Sequence, residues 1–303
     1  MSSSTPQNSF PNSLRGKTAL ITGGTSGIGR QVALTLAARG AAVTIVGRDA
    51  AKAQAIRQQT TGDIAFRQAD LSQMAQVRQI AGQFTEDHNQ LDYLIHSAGV
   101  HQNDRSLTPD GIEYNFAANY LNKFLLTNLL LPALTRSAPA RIVVVGSPYV
   151  FDPARFLRFG GIQNARPPYP LRSLVKSGMA VSVWAVEVAR RLAGSGVTIN
   201  TVVPGVVRTD ILRNDPWPVR LMDRLLRPFM SLSVEQGSTG PLYLATAGEA
   251  ANLNGQFYEN QRQRPPRPIR VPGGTYDPEL ALRLWTFSDE LTRQKSGPVP
   301  NNP

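Results

Sequence analysis

The chain contains no cysteine. That excludes disulfides, a thiol nucleophile and thiolate metal sites, and it fits a reducing compartment such as the cytoplasm. Histidine is scarce: His88, His96 and His101 have no ligand-like spacing, so no metal site is expected. Long apolar runs are missing as well. No stretch approaches the roughly 18–20 apolar residues of a membrane helix. The opening MSSSTPQNSFPNS lacks the charged and apolar regions of a signal peptide. Residues 1–13 read as a disordered leader and 295–303 as a disordered tail. No aromatics interleave the densest basic run, Arg262-Gln-Arg-Pro-Pro-Arg-Pro-Ile-Arg270, which argues against base stacking and hence against a nucleic-acid partner.

What is present fits one large α/β domain. The 303 residues are 41% hydrophobic, enough for a sizeable core. A net charge of +11 suits either an anionic partner or a basic soluble surface, and the even spread of arginines favours the second. Apolar strand-length runs at Lys17–Thr22, Ala42–Val46, Ile64–Gln68, Leu91–His96, Arg141–Val145 and Val197–Val203 alternate with helical patterns at Arg30–Arg39, Ala51–Gln59, Met74–Phe84, Tyr114–Leu134 and Leu174–Leu192. Strands apolar on both faces imply a parallel sheet covered on both sides, and right-handed crossovers make it a doubly wound Rossmann sheet spanning 14–294. Segments 150–170 and 208–232 interrupt the rhythm after strand C-terminal ends, where ligands bind in such sheets, and read as substrate-covering lids.

Thr22-Gly-Gly-Thr-Ser-Gly-Ile-Gly29 joins the first strand to the first helix. Glycines there let the backbone turn tightly and approach a pyrophosphate, whose charge faces the helix N-terminus. This TGxxxGIG spacing resembles the short-chain dehydrogenase/reductase family. The resemblance runs from about Gly16 to Arg293, and implies a dinucleotide cofactor contacted by Gly23, Thr25, Ser26, Gly27, Ile28 and Gly29. It further assigns Asp70 and Leu71 to the adenine ring. Ser97, Ala98 and Gly99 match the end of the family's Asn-Asn-Ala-Gly, with His96 and Ser97 in place of its asparagines. Pro204, Gly205, Val207 and Thr209 match the segment that holds the nicotinamide amide. The retinol-dehydrogenase-like branch is suggested by Asp110–Asn119, Phe124–Pro132, Ala189–Asn200 and the late helix around Trp285. That branch acts on lipophilic carbonyls and alcohols.

Cofactor choice is legible at the end of the second strand. An NAD site places an acid there to bond the ribose 2′-hydroxyl. This chain has Val46-Gly47-Arg48, and a guanidinium suits a 2′-phosphate, so NADP(H) is expected. The neighbouring Asp49 leaves a surface ion pair for Arg48 as the alternative.

The family moves a hydride to or from the nicotinamide while a tyrosine exchanges the proton. A lysine four residues later lowers the tyrosine's pKa, a serine orients the substrate oxygen and an asparagine supports a proton relay. By resemblance Asn119 is the asparagine and Ser147 the serine. Counting back without gaps from Ala189–Leu192 and Asn200, the tyrosine position is Leu174 and the lysine position Gly178, neither of which carries a proton. Lys176 points away by helical rotation, and a two-residue insertion that restored it would put Arg172 in the tyrosine's place. Tyr169, on the preceding proline-rich loop, and Tyr149 are substitute proton donors. Lys123, one turn after Asn119, could face the cleft, but a solvated surface lysine is the blander reading.

Three functions follow. The first is an atypical NADP-dependent carbonyl reductase or alcohol dehydrogenase with a non-standard or substrate-assisted proton donor. The second is a nucleotide-binding protein without turnover, and the third a non-redox cyclase or dehydratase. Arg155, Arg158, Arg166 and Arg172 hint at an anionic or polyphenolic ligand, and Phe151, Phe156 and Phe159 at an aromatic pocket, though solvation and core packing explain them equally well. The expected partner is a small lipophilic or aromatic carbonyl or alcohol. Peripheral membrane contact and homo-oligomerisation stay open.

Overall fold

The apolar runs become strands buried on both faces, and the periodic runs become the helices that cover them. The computed structural model describes residues 13–102, 106–146, 169–205, 207, 232–261, 265–270 and 276–293, with the backbone alone for 169–173. The first half runs β1 (Thr18–Thr22), α1 (Gly27–Ala38), β2 (Ala42–Gly47), α2 (Ala50–Arg57), β3 (Ile64–Gln68), α3 (Met74–Asp87) and β4 (Tyr93–His96). Then come α4 (Tyr114–Phe116), a π-helical turn (Ala117–Leu121), α5 (Asn122–Arg136), β5 (Ala140–Val145), α6 (Tyr169–Arg191) and β6 (Val197–Val203). The chain continues through α7 (Val234–Thr246), β7 (Phe257–Glu259), β8 (Arg267–Ile269) and α8 (Pro278–Arg293).

The strands form one sheet in the order β3-β2-β1-β4-β5-β6-β7-β8. Every neighbouring pair is parallel except β7 with β8, which runs antiparallel through Phe257 opposite Ile269. The chain winds outward from β1 to β3, then crosses back to lay β4 on the other side of β1. That reversal leaves a crevice beyond the C-terminal ends of β1 and β4, the place where open α/β sheets bind ligands. This is the expected Rossmann-type sheet. The three-residue strands β7 and β8 were not foreseen, being too short to leave a period, and Pro268 suits β8 to the sheet edge.

One core layer packs Phe84, Phe116, Tyr120, Phe124 and Trp184 against one sheet face, and another packs Val32, Leu36, Leu242 and Leu244 against the other. Burial of each such large side chain contributes about 1.5–3 kcal/mol. Two helices depart from expectation. The single helix predicted from Tyr114 to Leu134 is broken by the π turn and passes through Pro132 to Arg136. The carbonyl deprived of its donor by Pro132 belongs to Asn128, which is half-buried, so solvent can serve it. The other departure is α6, which begins at Tyr169 rather than Leu174, so Tyr169 belongs to the helix and not to a preceding loop. Pro170 fits this first turn, where its missing N–H costs little.

The lid segments lie outside the described residues, apart from 169–170 and Leu232, which bridges to Val207. The leader up to residue 12 and the tail also lie outside them. Among the described residues no helix is long and apolar enough to cross a membrane, and no group of His, Asp and Glu could hold a metal ion.

Candidate active site

The glycine turn is wedged between two strand ends. Gly23 and Gly24 donate N–H bonds to the Val46 carbonyl at 2.9 and 3.2 Å, which ties the turn to β2. On the other side Ser97 N–H donates to the Thr22 carbonyl at 3.2 Å, and Ala98 N–H to the Thr22 hydroxyl at 3.3 Å. Gly23 has φ +68°, and a Cβ there would lie 2.8 Å from Ala98 Cα. A Cβ on Gly29 would lie 2.5 Å from the Gly23 carbonyl oxygen, so the turn and α1 meet backbone to backbone. Ser26 is the N-cap of α1, yet its side chain makes no cap hydrogen bond, and no acidic residue stands in the first turn. The first N–H groups of α1 and the bare glycine backbone together make a cradle that a diphosphate fits.

The neighbouring segments gather at the same end of the sheet. A Cβ on Gly237 of α7 would lie 2.8 Å from Val207 Cγ2 and 3.4 Å from Ile28 Cγ1, so Val207, Ile28 and α7 are packed together. Pro204 is half-buried and Gly205 exposed, with φ +78°. After β3, the Asp70 carboxylate accepts from Ser72 N–H at 3.0 Å, and Leu71 is buried. Thr25 is half-buried, and it lies against Gly47, where a Cβ would come within 2.6 Å of its hydroxyl.

Arg48 is exposed at the end of β2. Its Nη1 donates to the Tyr114 hydroxyl at 3.1 Å, and its carbonyl accepts from Gln68 Nε2 at 2.9 Å. Asp49 is engaged elsewhere: it caps α2 by accepting from Lys52 N–H at 3.0 Å, and its carboxylate lies 4.0 Å from Lys52 Nζ. The alternative ion pair of Arg48 with Asp49 is therefore not the one made. Tyr114 as the arginine's partner was not foreseen.

Two asparagines hold the segment that follows β4. Asn119, on the π turn, accepts from Val100 N–H at 2.8 Å and donates to the Val100 carbonyl at 2.9 Å. Asn115, four residues earlier, does the same to Gln102 at 2.9 and 3.0 Å. The sequence shows these residues at i and i+4, a spacing that puts both on one helix face, yet only Asn119 was singled out. Carbonyls of the π turn are taken up by side chains: Asn122 Nδ2 donates to those of Ala117 and Ala118, and Lys123 Nζ to that of Asn119 at 2.6 Å.

Lys123 is the main correction. It is not a solvated surface lysine but is 3% exposed, and its Nζ also donates to the Ala98 carbonyl at 3.0 Å. Burial lowers its pKa from 10.5 to about 7. Nearby His96 is fully buried with Nε2 2.9 Å from the Thr127 hydroxyl. Burial, and then the Lys123 charge, hold that imidazole well below its usual pKa, so it is neutral.

Leu174 and Gly178 are both half-exposed on one side of α6, whereas Val175, Ser177, Met179, Ala180 and Val181 are buried. The Gly178 carbonyl accepts from the Ser182 hydroxyl at 3.1 Å. Ser147, Tyr149 and Thr209, the side chains of Tyr169 and Arg172, and the arginines and phenylalanines of the first lid lie outside the described residues.

A short chain dehydrogenase family model matches residues 17–157. Human retinol dehydrogenase 13 is 34% identical over 298 residues, covering 95% of this chain and 88% of that one. The chain belongs to the short-chain dehydrogenase/reductase family. It is a retinol dehydrogenase-like oxidoreductase of that family, which uses nicotinamide cofactors. Human polyprenol dehydrogenase is 34% identical over 289 residues, covering 91% of this chain and 85% of that one. The structure of a short chain dehydrogenase from Burkholderia cenocepacia in complex with NADP superposes with TM-score 0.65 at 25% identity, covering 87% of this chain and 99% of that one.

Proposed function

We propose that this protein is an NADP-dependent reductase or dehydrogenase of lipophilic carbonyls and alcohols that uses a non-standard or substrate-assisted proton donor. The observation that carries the cofactor choice is Arg48. It ends β2 with its guanidinium on Tyr114, while the adjacent carboxylate of Asp49 is engaged by Lys52 and the α2 N-terminus. A guanidinium there matches a 2′-phosphate, and the acid beside it, Asp49, is engaged by Lys52.

The cradle fits the cofactor because Gly23 and Gly29 let the turn, α1 and the end of β4 close backbone to backbone, while the start of α1 has no side-chain cap and no acid in its first turn. In this reading the glycine turn and the start of α1 hold the pyrophosphate, and Asp70 and Leu71 flank the adenine. Ser97 to Gly99 line the floor, and Pro204, Gly205, Val207 and Thr209 hold the amide. Bound there, the nicotinamide gives or accepts hydride. Ser147 orients the substrate oxygen, and Asn119 keeps the floor in place through Val100. Leu174 and Gly178 share one face of α6, and the resemblance counts them as the family's tyrosine and lysine positions, which supports a non-standard donor. The names of the relatives support retinoid- or polyprenol-like substrates.

Fluorescence titration with NADPH and NADH, followed by reduction of all-trans-retinaldehyde, tests this reading. Tighter NADPH binding with consumption of NADPH supports it. The same Leu174 and Gly178 favour a second reading, nucleotide binding without turnover. That reading is supported if NADPH binds but is not consumed with retinaldehyde or simple aromatic ketones.

A further inference from the structure

Among the described residues four charged side chains are almost wholly buried: Asp92, Glu113, Lys123 and Glu187. Three have evident compensation. Asp92 faces Lys17, Glu113 accepts from the N–H groups of Asn115 and Phe116, and Glu187 is held by Arg190 and Arg191. Lys123 has no carboxylate against it and rests on two neutral carbonyls. An apolar residue would occupy this place without the desolvation cost of an ammonium.

Those carbonyls belong to the crevice. Ala98 abuts the glycine turn at Gly23, and Asn119 closes on Val100 at the end of β4. The helix α6, with Leu174 and Gly178, packs on the π turn that carries Asn119. The charge therefore sits under the floor of the site.

Building on the reductase reading, we infer that Lys123 is the proton store of the crevice: its ammonium passes a proton, through solvent anchored at the Asn119 carbonyl, to the substrate oxygen. In the reduction the substrate carbonyl π bond breaks. Its carbon gains a hydride with both electrons from the reduced nicotinamide, and its oxygen gains one proton. One N–H bond of Lys123 breaks, and the neutral amine takes a proton back from bulk solvent. Lys123 delivers its proton through that solvent and does not itself touch the substrate.

The surroundings suit this role. With a pKa of about 7, both forms of Lys123 are populated near neutral pH, as acid–base work requires. His96 on β4 is the titratable group coupled to it and stays neutral. Tyr93 and Arg141 pair at the opposite ends of β4 and β5. The buried face of α3 is apolar, and on α6 Glu187 is tied to its arginines.

The test compares wild type, Lys123→Met and Lys123→Arg in NADPH binding and in the pH–rate profile for all-trans-retinaldehyde reduction. It adds a heteronuclear NMR titration of the lysine side chains, of which the sequence holds five. We expect one wild-type lysine resonance, absent in Lys123→Met, to titrate near neutrality, and the reduction rate to fall as pH rises through the same range. Lys123→Met should bind NADPH within about threefold of wild type yet reduce roughly 100-fold more slowly, the usual worth of a positioned proton-transfer group. Lys123→Arg, permanently charged, should lose the alkaline fall in rate. Retention of that fall in either variant overturns the inference while leaving the NADP reading intact, as does a wild-type Lys123 titrating near 10. If wild type binds neither nucleotide, both fail.

Discussion

Replacing Lys123 by methionine should stabilise the fold near neutral pH and change little at pH 9. Burial alone takes this amine from 10.5 down to about 7 in the folded protein. Between those values the unfolded chain keeps a proton that the folded chain has released, so stability rises with pH. Below about pH 7 both states are charged and the folded state bears the whole cost, roughly 5 kcal/mol for that gap. At pH 9 the remaining cost is roughly 2 kcal/mol by the same conversion. Methionine is similar in length and uncharged, but it abandons the bonds to the Ala98 and Asn119 carbonyls, about 1 kcal/mol each. The variant should therefore gain about 3 kcal/mol at pH 6.5 and nothing appreciable at pH 9. Urea unfolding of both proteins at the two pH values, followed by tryptophan fluorescence, measures this. A stability difference that is the same at both pH values would refute the reasoning, because it would show that no buried charge was removed.

Other outcomes follow from the crevice. Arg48→Ala should weaken NADPH binding roughly 10- to 100-fold, the range for loss of a charge-assisted bond, and leave NADH binding unchanged in parallel titrations. Gly23→Ala forces a side chain into φ +68° and against Ala98 Cα. It should destabilise the fold by about 1–3 kcal/mol and abolish saturable NADPH binding in a melt and a titration. Asn119→Leu leaves the N–H and carbonyl of Val100 without their partner. Its cost should be about 2–4 kcal/mol in urea unfolding.

The sheet was legible because its signal is local. A parallel strand buried on both faces shows as an apolar run, and the glycine turn is fixed by backbone demands within eight residues. The placement of Arg48 after β2 and of Asn119 on the helix after β4 was legible because it depends on position along the chain. The burial of Lys123 was not legible, since it depends on the approach of Ala98, 25 residues away in the chain, to the helix that carries the lysine. The Tyr114 hydroxyl on Arg48 is a contact across 66 residues, again invisible to periodicity. Short edge strands such as β7 and β8 leave no alternation to read.

The paired asparagines have a consequence for how the site can change. Each primary amide of Asn115 and Asn119 offers one donor and one acceptor to a single residue of the segment after β4, as a neighbouring strand would. The backbone at Val100 and Gln102 is thus held in place by side chains of a helix. Aspartate could not serve both groups, and glutamine would overshoot them, so these two positions allow little exchange. A change at either asparagine would therefore be felt in the segment after β4 rather than in the helix that carries it.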